Sequence, residues 1–361
     1  MTALFTPLKV KDITLRNRIG VAPMCQYSSV DGVANDWHMV HLGSKAVGGA
    51  GLIIAEATGV SPEGRITPSC AGIWNDTQVE ALMPINAFIH KHGAVAGIQI
   101  AHSGRKGSSA TPWDGGEHLA DDNKGWPVKG PAGIPFDPDG KRLWKTPKAM
   151  TLADIKTVQG QFVDAAKRSL EAGYKLLEIH GAHGYLLHSF FTPLDNDRSD
   201  NYGGSLRNRA RMMLEIVEAV SKVWPENLPL AVRLSAHDWI EGGLTEDNNA
   251  QMAIWLKERG VDFVDCSGGG ATPAARSSVG TRTADQVGVA AHIRKAANIK
   301  TMAVGYITEP EQANEIIEKG MADIVLLARQ MLRDPFWTMH AAQKLGVDHK
   351  PFMPKPIGTF V

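Results

Sequence analysis

A chain of 361 residues, 43% hydrophobic and 21% charged with a formal net charge of zero, is long enough to bury a substantial core. The neutral balance gives no electrostatic reason for nucleic acid or an anionic membrane as partner, and no stretch approaches the roughly 18 uninterrupted apolar residues of a membrane span. Three scattered cysteines, Cys25, Cys70 and Cys266, make no disulfide framework; together with an N-terminus that lacks a signal-peptide pattern, they make the cytoplasm the expected compartment.

Short apolar runs alternate with amphipathic segments along the chain. The first, Ile19–Met24, leads into Pro23-Met24-Cys25-Gln26-Tyr27. The second, Gly51–Thr58, ends in Glu56-Ala57-Thr58, and the third, Val95–His102, carries Gln99 and His102. Ser103–Met150 then breaks the rhythm. It is rich in Gly, Pro, Asp and Lys, yet Trp113, Trp126 and Trp144 argue against disorder, so it reads as an excursion that walls or lids a site.

Thr151–Ala172 has a helical period, with Leu152, Ile155, Val158, Phe162, Ala166 and Leu170 on one face, Thr151 and Asp154 at capping-box spacing, and Gly173 as the stop. The fourth run, Leu176–His180, continues into Gly181-Ala182-His183-Gly184-Tyr185. The fifth, Pro229–Ser235, carries Arg233; the sixth is Phe263–Ser267 and the seventh Lys300–Tyr306. A helix is expected from Glu309, with Thr308 and Glu311 at capping-box spacing, Pro310 in the first turn and Gly320 at its end. The eighth run is Asp323–Arg329.

The runs are near-continuously apolar, as parallel strands covered on both faces are. Eight of them alternating with helices specify an α/β fold, a (β/α)8 barrel over residues 1–347 with the excursion at 103–150 and a tail at 348–361. A doubly wound open sheet is the alternative, but no G-x-G-x-x-G follows the first strand.

Barrel chemistry gathers at the C-terminal strand ends. His180 and His183 could direct two imidazole N–H groups at one carbonyl oxygen and stabilise charge developing there, with the Tyr185 phenol nearby as a general acid. The same His-x-x-His spacing could hold zinc, but no third ligand stands close in sequence and no metal is expected. At strands seven and eight, Gly305 permits close backbone approach and Arg329 can pair a phosphate, which fits a cofactor or a phosphorylated substrate equally well.

In order along the chain, Leu4-Phe5-x-Pro7, Leu15-Arg16-Asn17-Arg18-Ile19, Ala22-Pro23-Met24-Cys25-Gln26-Tyr27, Gln99-Ile100-x-His102-x-Gly104-Arg105, His180-x-x-His183-x-Tyr185-Leu186 and Arg198-Ser199-Asp200-x-Tyr202-Gly203-Gly204-Ser205-x-x-Asn208-Arg209 resemble the old yellow enzyme family (NADH:flavin oxidoreductases/NADH oxidases). They are most similar to its bacterial branch containing the xenobiotic reductases.

The resemblance implies bound FMN, with Ala22, Pro23, Met24, Cys25, Ala57 and Gln99 around the flavin ring, Arg233 at its N1–C2 edge, and Val304, Gly305, Ala328 and Arg329 at its phosphate. It implies that His180, His183 and Tyr27 bind the substrate. NADPH, or NADH, would be the reductant, and an α,β-unsaturated carbonyl would take hydride from flavin N5 and a proton from Tyr185. Cys25 would tune the flavin rather than act as a nucleophile, and a homo-oligomer follows by analogy. Ser205 reads as a helix N-cap, with Arg198 and Asp200 pinning its loop.

Two departures stand out. Ala328 replaces a common glycine, and the tail ending in Phe360-Val361 lacks the Arg-Gly-Trp type of ending that in relatives reaches a neighbouring subunit's site.

Competing readings are a flavin and iron–sulfur reductase, a flavin-free barrel lyase or isomerase using the strand seven and eight phosphate site, and a non-catalytic scaffold. The first needs a four-cysteine cluster that three scattered cysteines cannot make.

Overall fold

The computed structural model describes residues 2–121, 124–137, 144–274 and 283–360. The chain opens with an antiparallel hairpin of β1 (Leu8–Val10) and β2 (Ile13–Leu15). The eight apolar runs then supply β3 (Ile19–Val21), β4 (Leu52–Gly59), β5 (Val95–Ala101), β8 (Leu176–Gly181), β9 (Leu230–Ser235), β10 (Phe263–Ser267), β11 (Lys300–Val304) and β12 (Ile324–Leu327). The short β6 (Lys129–Gly130) and β7 (Lys148–Ala149) pair with each other in the excursion. Each of the eight pairs in parallel with the next, and β12 closes on β3, so the barrel has no free edge. Every residue of β8, β9, β10 and β12 is buried, as continuous apolar runs require when side chains fill the barrel on one face and meet helices on the other.

The helices run α1 (Asp36–Val47), α2 (Asp76–Lys91), α3 (Leu152–Glu171), α4 (Leu186–Phe191), α5 (Leu206–Ser221), α6 (Glu246–Lys257), α7 (Thr283–Ala297), α8 (Pro310–Glu318), α9 (Arg329–Arg333) and α10 (Trp337–Lys344). The α3 cap forms as expected. The Thr151 hydroxyl accepts from the Asp154 N–H at 3.1 Å, and the Asp154 carboxylate accepts from the Thr151 N–H at 2.9 Å. Lys129 reaches Asp154 as well, at 2.5 Å, and ties the excursion to this helix. Ser205 caps α5, accepting from the Asn208 N–H, and Arg198 grips Asp200 while donating to the carbonyls of Pro131 and Met150.

Three local expectations need correction. β3 stops at Val21, because Pro23 has no N–H to continue the ladder, and Pro23–Tyr27 becomes irregular backbone at the barrel mouth. Leu152 belongs to the predicted apolar face of α3 but is 61% exposed, since burial of that face begins only at Ile155. Thr308 does not cap α8. Glu309 takes the cap position without a side-chain bond, and Gln312 reaches back to the Thr308 N–H at 3.2 Å.

The excursion is held by its aromatics and by one arginine. Trp144 packs edge-on against His118 and Phe136, and Trp126 donates to the Glu63 carbonyl. Arg105, buried, pairs with Asp195 at 2.6 Å and donates to the carbonyls of Ile134, Pro135 and Ala271, joining the excursion to the loops after β8 and β10. Residues 122, 123 and 138–143 of the excursion lie outside the described residues, as does Val361 of the tail.

The tail packs on the N-terminal side of its own barrel. Phe352 meets Phe5 with ring centroids 5.3 Å apart, and its carbonyl accepts from Arg16. Phe360 is 86% exposed.

Candidate active site

Two large concavities open on opposite ends of the barrel. One, of about 560 Å3, lies at the N-terminal ends of β9 to β11 and presents no imidazole, thiol or phenol; its Lys11 is paired with Asp262 at 2.8 Å. The other, of about 520 Å3, opens at the C-terminal ends and is lined by Tyr27, Lys106, His183, Tyr185, Ser267 and Trp144, so the excursion walls it. Reactive groups converge only on the second, the face where barrel chemistry is assembled.

The His180–Tyr185 segment is positioned from several directions. His180 stands one residue from the end of β8, paired in register with Arg233 of β9. The chain then turns through His183 and Gly184 with φ of +62° and +72°. At Gly184 a Cβ would fall 2.1 Å from the Gly270 carbonyl oxygen, so only glycine fits. The turn is pinned by the Ser235 hydroxyl, which accepts from the His183 N–H at 2.8 Å, and by His188 Nδ1, which accepts from the Gly184 N–H at 2.8 Å. Because Nδ1 accepts, Nε2 of His188 carries the proton and faces Asp238 at 3.0 Å.

As a result the three side chains cluster. The His180 ring lies 5.2 Å from that of His183 and 5.1 Å from that of Tyr185. His183 Nε2 meets the Ser267 hydroxyl at 2.7 Å, and His180 Nδ1 is buried with no hydrogen-bond partner among the described residues. Burial and the nearby cations Arg233 and Lys106 hold both imidazoles well below their ordinary pKa, so each is neutral and offers one N–H. Lys106 donates to the His183 carbonyl at 2.7 Å and stands 4.9 Å from the centre of the Tyr185 ring. Tyr27, with φ of +50°, reaches the same cavity and packs edge-on against Trp113. Cys25 is half-buried and its thiol is pushed well up by desolvation and by Cys70 and Glu56, which leaves it neutral rather than a nucleophilic thiolate.

Below the cavity, Gln99 donates to Glu178 at 2.7 Å and Arg233 pairs with Asp265 at 3.0 Å, all four buried. Beside it, Val304, Gly305, Ala328 and Arg329 come together with Gln286 around a third cavity of about 220 Å3. Gly305 has φ of +128°, and a Cβ there would come within 1.8 Å of Gln286 Oε1. Ala328 has a negative φ of −108°, so the left-handed backbone that would demand glycine is absent at this position. Arg329 stacks 4.7 Å from the Tyr306 ring centre and has no carboxylate partner among the described residues.

Ser267 lines both cavities, so they are contiguous. An elongated ligand with an anionic end by Arg329 and Gly305 and a planar polar body over Gln99 and Arg233 fits this donor set, as FMN would. Among the described residues no group of three or more His, Cys, Asp or Glu side chains could hold a metal.

Residues 3–348 match the NADH:flavin oxidoreductase / NADH oxidase family. The chain belongs to this family. It is an enzyme, an FMN-dependent NAD(P)H oxidoreductase of the old yellow enzyme type. It is 44% identical over 347 residues to an NADPH dehydrogenase of Geobacillus sp. (strain WCH70), covering 96% of this chain and 95% of that one.

Among solved structures it resembles a 2-naphthoyl-CoA reductase complex with 2-naphthoyl-CoA (25% identity, TM-score 0.84, 96% of this chain), of which it spans about half, 52%. It also resembles a morphinone reductase variant in complex with tetrahydroNAD (26% identity, TM-score 0.77, 95% of this chain and 90% of that one). Membership favours the flavin and sets aside the flavin-free lyase and the scaffold. No helix among the described residues is long and apolar enough to cross a membrane.

Several groups in the site escaped the sequence reading: Glu178, Asp265, Ser267, Gln286 and Lys106. A signal was present for two of them, because Glu178 and Asp265 are the carboxylates inside Leu176–His180 and Phe263–Ser267, runs otherwise read as buried strand.

Proposed function

We propose that this enzyme reduces the activated C=C bond of α,β-unsaturated carbonyl compounds, with NADPH as the reductant. The observation that carries the reading is the single cluster of His180, His183 and Tyr185 at the mouth of a cavity contiguous with an anion cradle. Pro23, Met24, Cys25, Ala57, Gln99 and Arg233 would hold the flavin ring beside Ala22; Val304, Gly305, Ala328 and Arg329 would hold its phosphate. Bound there, FMN supplies the hydride that it takes from the nicotinamide and passes to the alkene.

The protein's own residues do the rest. Two neutral imidazoles grip the carbonyl oxygen and stabilise charge as it builds there, and the orphaned Nδ1 of His180 supports this because a substrate oxygen would satisfy it. Tyr185 delivers the proton to the α-carbon, with the Lys106 ammonium 4.9 Å from the centre of its ring. Tyr27 and the excursion close over the substrate and exclude water. The 44% identity to an NADPH dehydrogenase supports NADPH over NADH. We read 1–347 as one barrel domain, 103–150 as its lid and 348–361 as a tail.

In the test, Tyr185→Phe slows reduction of an enone by about 10²–10⁴-fold while reduction of the flavin by NADPH stays near wild type. Equal loss in both half-reactions would overturn the assignment, and a purified protein without flavin absorbance would overturn the cofactor reading.

A further inference from the structure

Beneath the cavity lies a buried polar unit that the proposed reaction does not use directly. Gln99 on β5 and Glu178 on β8 are register partners, as are Arg233 on β9 and Asp265 on β10. Glu178 and Asp265 are both fully buried at 0% exposure. Glu178 Oε1 accepts from Gln99, and Asp265 Oδ2 meets Arg233. The two carboxyl groups also face each other within hydrogen-bond reach. Drawn as two carboxylates, the unit leaves Glu178 Oε2 and Asp265 Oδ1 without a hydrogen-bond partner among the described residues, Asp265 Oδ2 keeping only its ion pair with Arg233, and places two negative charges against one guanidinium. Both features are costly, and one proton between the carboxyl groups removes both.

We propose that Glu178 and Asp265 share a single proton and act as a positioning pair that sets the direction of the Gln99 amide and the charge around Arg233. The inference rests on the flavin reading above for its consequence, but not for the shared proton itself. With the proton on Glu178 Oε2, that hydroxyl donates to Asp265, and Glu178 Oε1 stays free to accept from Gln99. The Gln99 carbonyl must then turn toward the site as an acceptor, and Asp265 remains the counter-ion of Arg233. The unit is neutral overall.

Burial pushes both carboxyl groups up, Glu178 to about 8 with the neighbouring carboxylate adding to it, and the Arg233 ion pair on Asp265 favours the charge there, which agrees with Glu178 as the proton carrier. The other titratable groups around the pair leave this balance alone. Glu56 on β4 is turned to His38 and the Gln26 N–H, Cys266 on β10 has its thiol pushed up by burial and by Asp265, and His180 is held neutral.

Two isosteric variants separate the roles. Asp265→Asn removes the negative charge and leaves Arg233 uncompensated, so the protein favours reduced over oxidised FMN by at least about tenfold more than wild type, the scale of one unit charge within about 12 Å in a medium of effective dielectric about 20. Glu178→Gln replaces a group already neutral, so the same ratio changes less than about twofold at pH 7. As pH rises through about 8 the wild-type pair loses its proton, a negative charge appears under the ring, and the preference for reduced FMN falls relative to Glu178→Gln.

A second readout needs no flavin. A carboxyl whose folded pKa is raised stabilises the fold below its unfolded value, and this stability is lost as pH climbs through the folded pKa. Flavin-free wild-type protein therefore loses unfolding free energy as pH rises from about 4.5 to about 8 and levels off above that, and flavin-free Glu178→Gln does not show this loss. The proposal is overturned if Glu178→Gln shifts the FMN ratio at pH 7 as far as Asp265→Asn does, or if the two flavin-free proteins share one pH–stability profile. A protein that binds no FMN overturns the flavin reading instead, and the stability profiles still decide the shared proton.

Discussion

Replacing Gly305 by alanine tests the anion cradle with a cost that can be worked from the backbone. Gly305 directly follows β11 with φ of +128°, a conformation that an L side chain adopts at about 1–3 kcal/mol. The new Cβ would also lie 1.8 Å from Gln286 Oε1. That oxygen is the far end of a flexible side chain and can swing away, so the backbone strain is the part that persists. If the 304–306 loop relaxes to relieve it, the backbone leaves the position that faces the phosphate, and FMN binding weakens by the strain energy, about 5- to 150-fold. Fluorescence titration of flavin-free protein with FMN measures the loss.

The double variant Gly305→Ala/Gln286→Ala removes the collision but keeps the strain, and should recover little of the affinity. Full recovery in the double variant would refute strain as the cause. Unchanged FMN affinity in Gly305→Ala would refute the cradle itself.

Two further outcomes follow from the same geometry. His180→Ala removes one of the two neutral N–H donors, so binding of a simple phenol, followed through its long-wavelength charge-transfer band with the flavin, weakens by at least tenfold, as expected for loss of a hydrogen bond to a charged oxygen; an undiminished band would remove His180 from the substrate site. Thr151→Ala deletes the hydroxyl that caps α3 and should cost about 1 kcal/mol in urea unfolding without altering flavin binding, and an unchanged midpoint would mean that Asp154 and Lys129 hold that end of the helix unaided.

The parts of this protein that were legible in its sequence are those whose cause is local. A parallel strand covered on both faces must be apolar along its length, so Leu176–His180 and Phe263–Ser267 announce themselves. A capped helix needs its oxygen at the first residue and its glycine at the end, so α3 can be read from Thr151 to Gly173. Strand order in a (β/α)8 barrel then places every loop that follows a strand on one face, which is why His180, His183, Tyr185, Tyr27, Gly305 and Arg329 could be assigned to one site before any contact was known.

Where local pattern overreached, tertiary context was the reason. Leu152 has the right period but lies ahead of the buried part of its helix, and Thr308 has the right spacing, but Gln312 bonds its N–H instead.

What tertiary structure alone decided is pairing across the barrel. Gln99 and Glu178 are 79 positions apart in the chain, and His183 and Ser267 are 84 apart, yet each pair is hydrogen-bonded. Closure and register set which side chains share a level, and nothing in a run of apolar residues records that. A carboxylate inside a strand is visible in sequence as an anomaly. Whether it is paired, protonated or turned outward depends on what the neighbouring strands bring to its height, so the charge at the base of the site is a property of the closed barrel and not of any one segment.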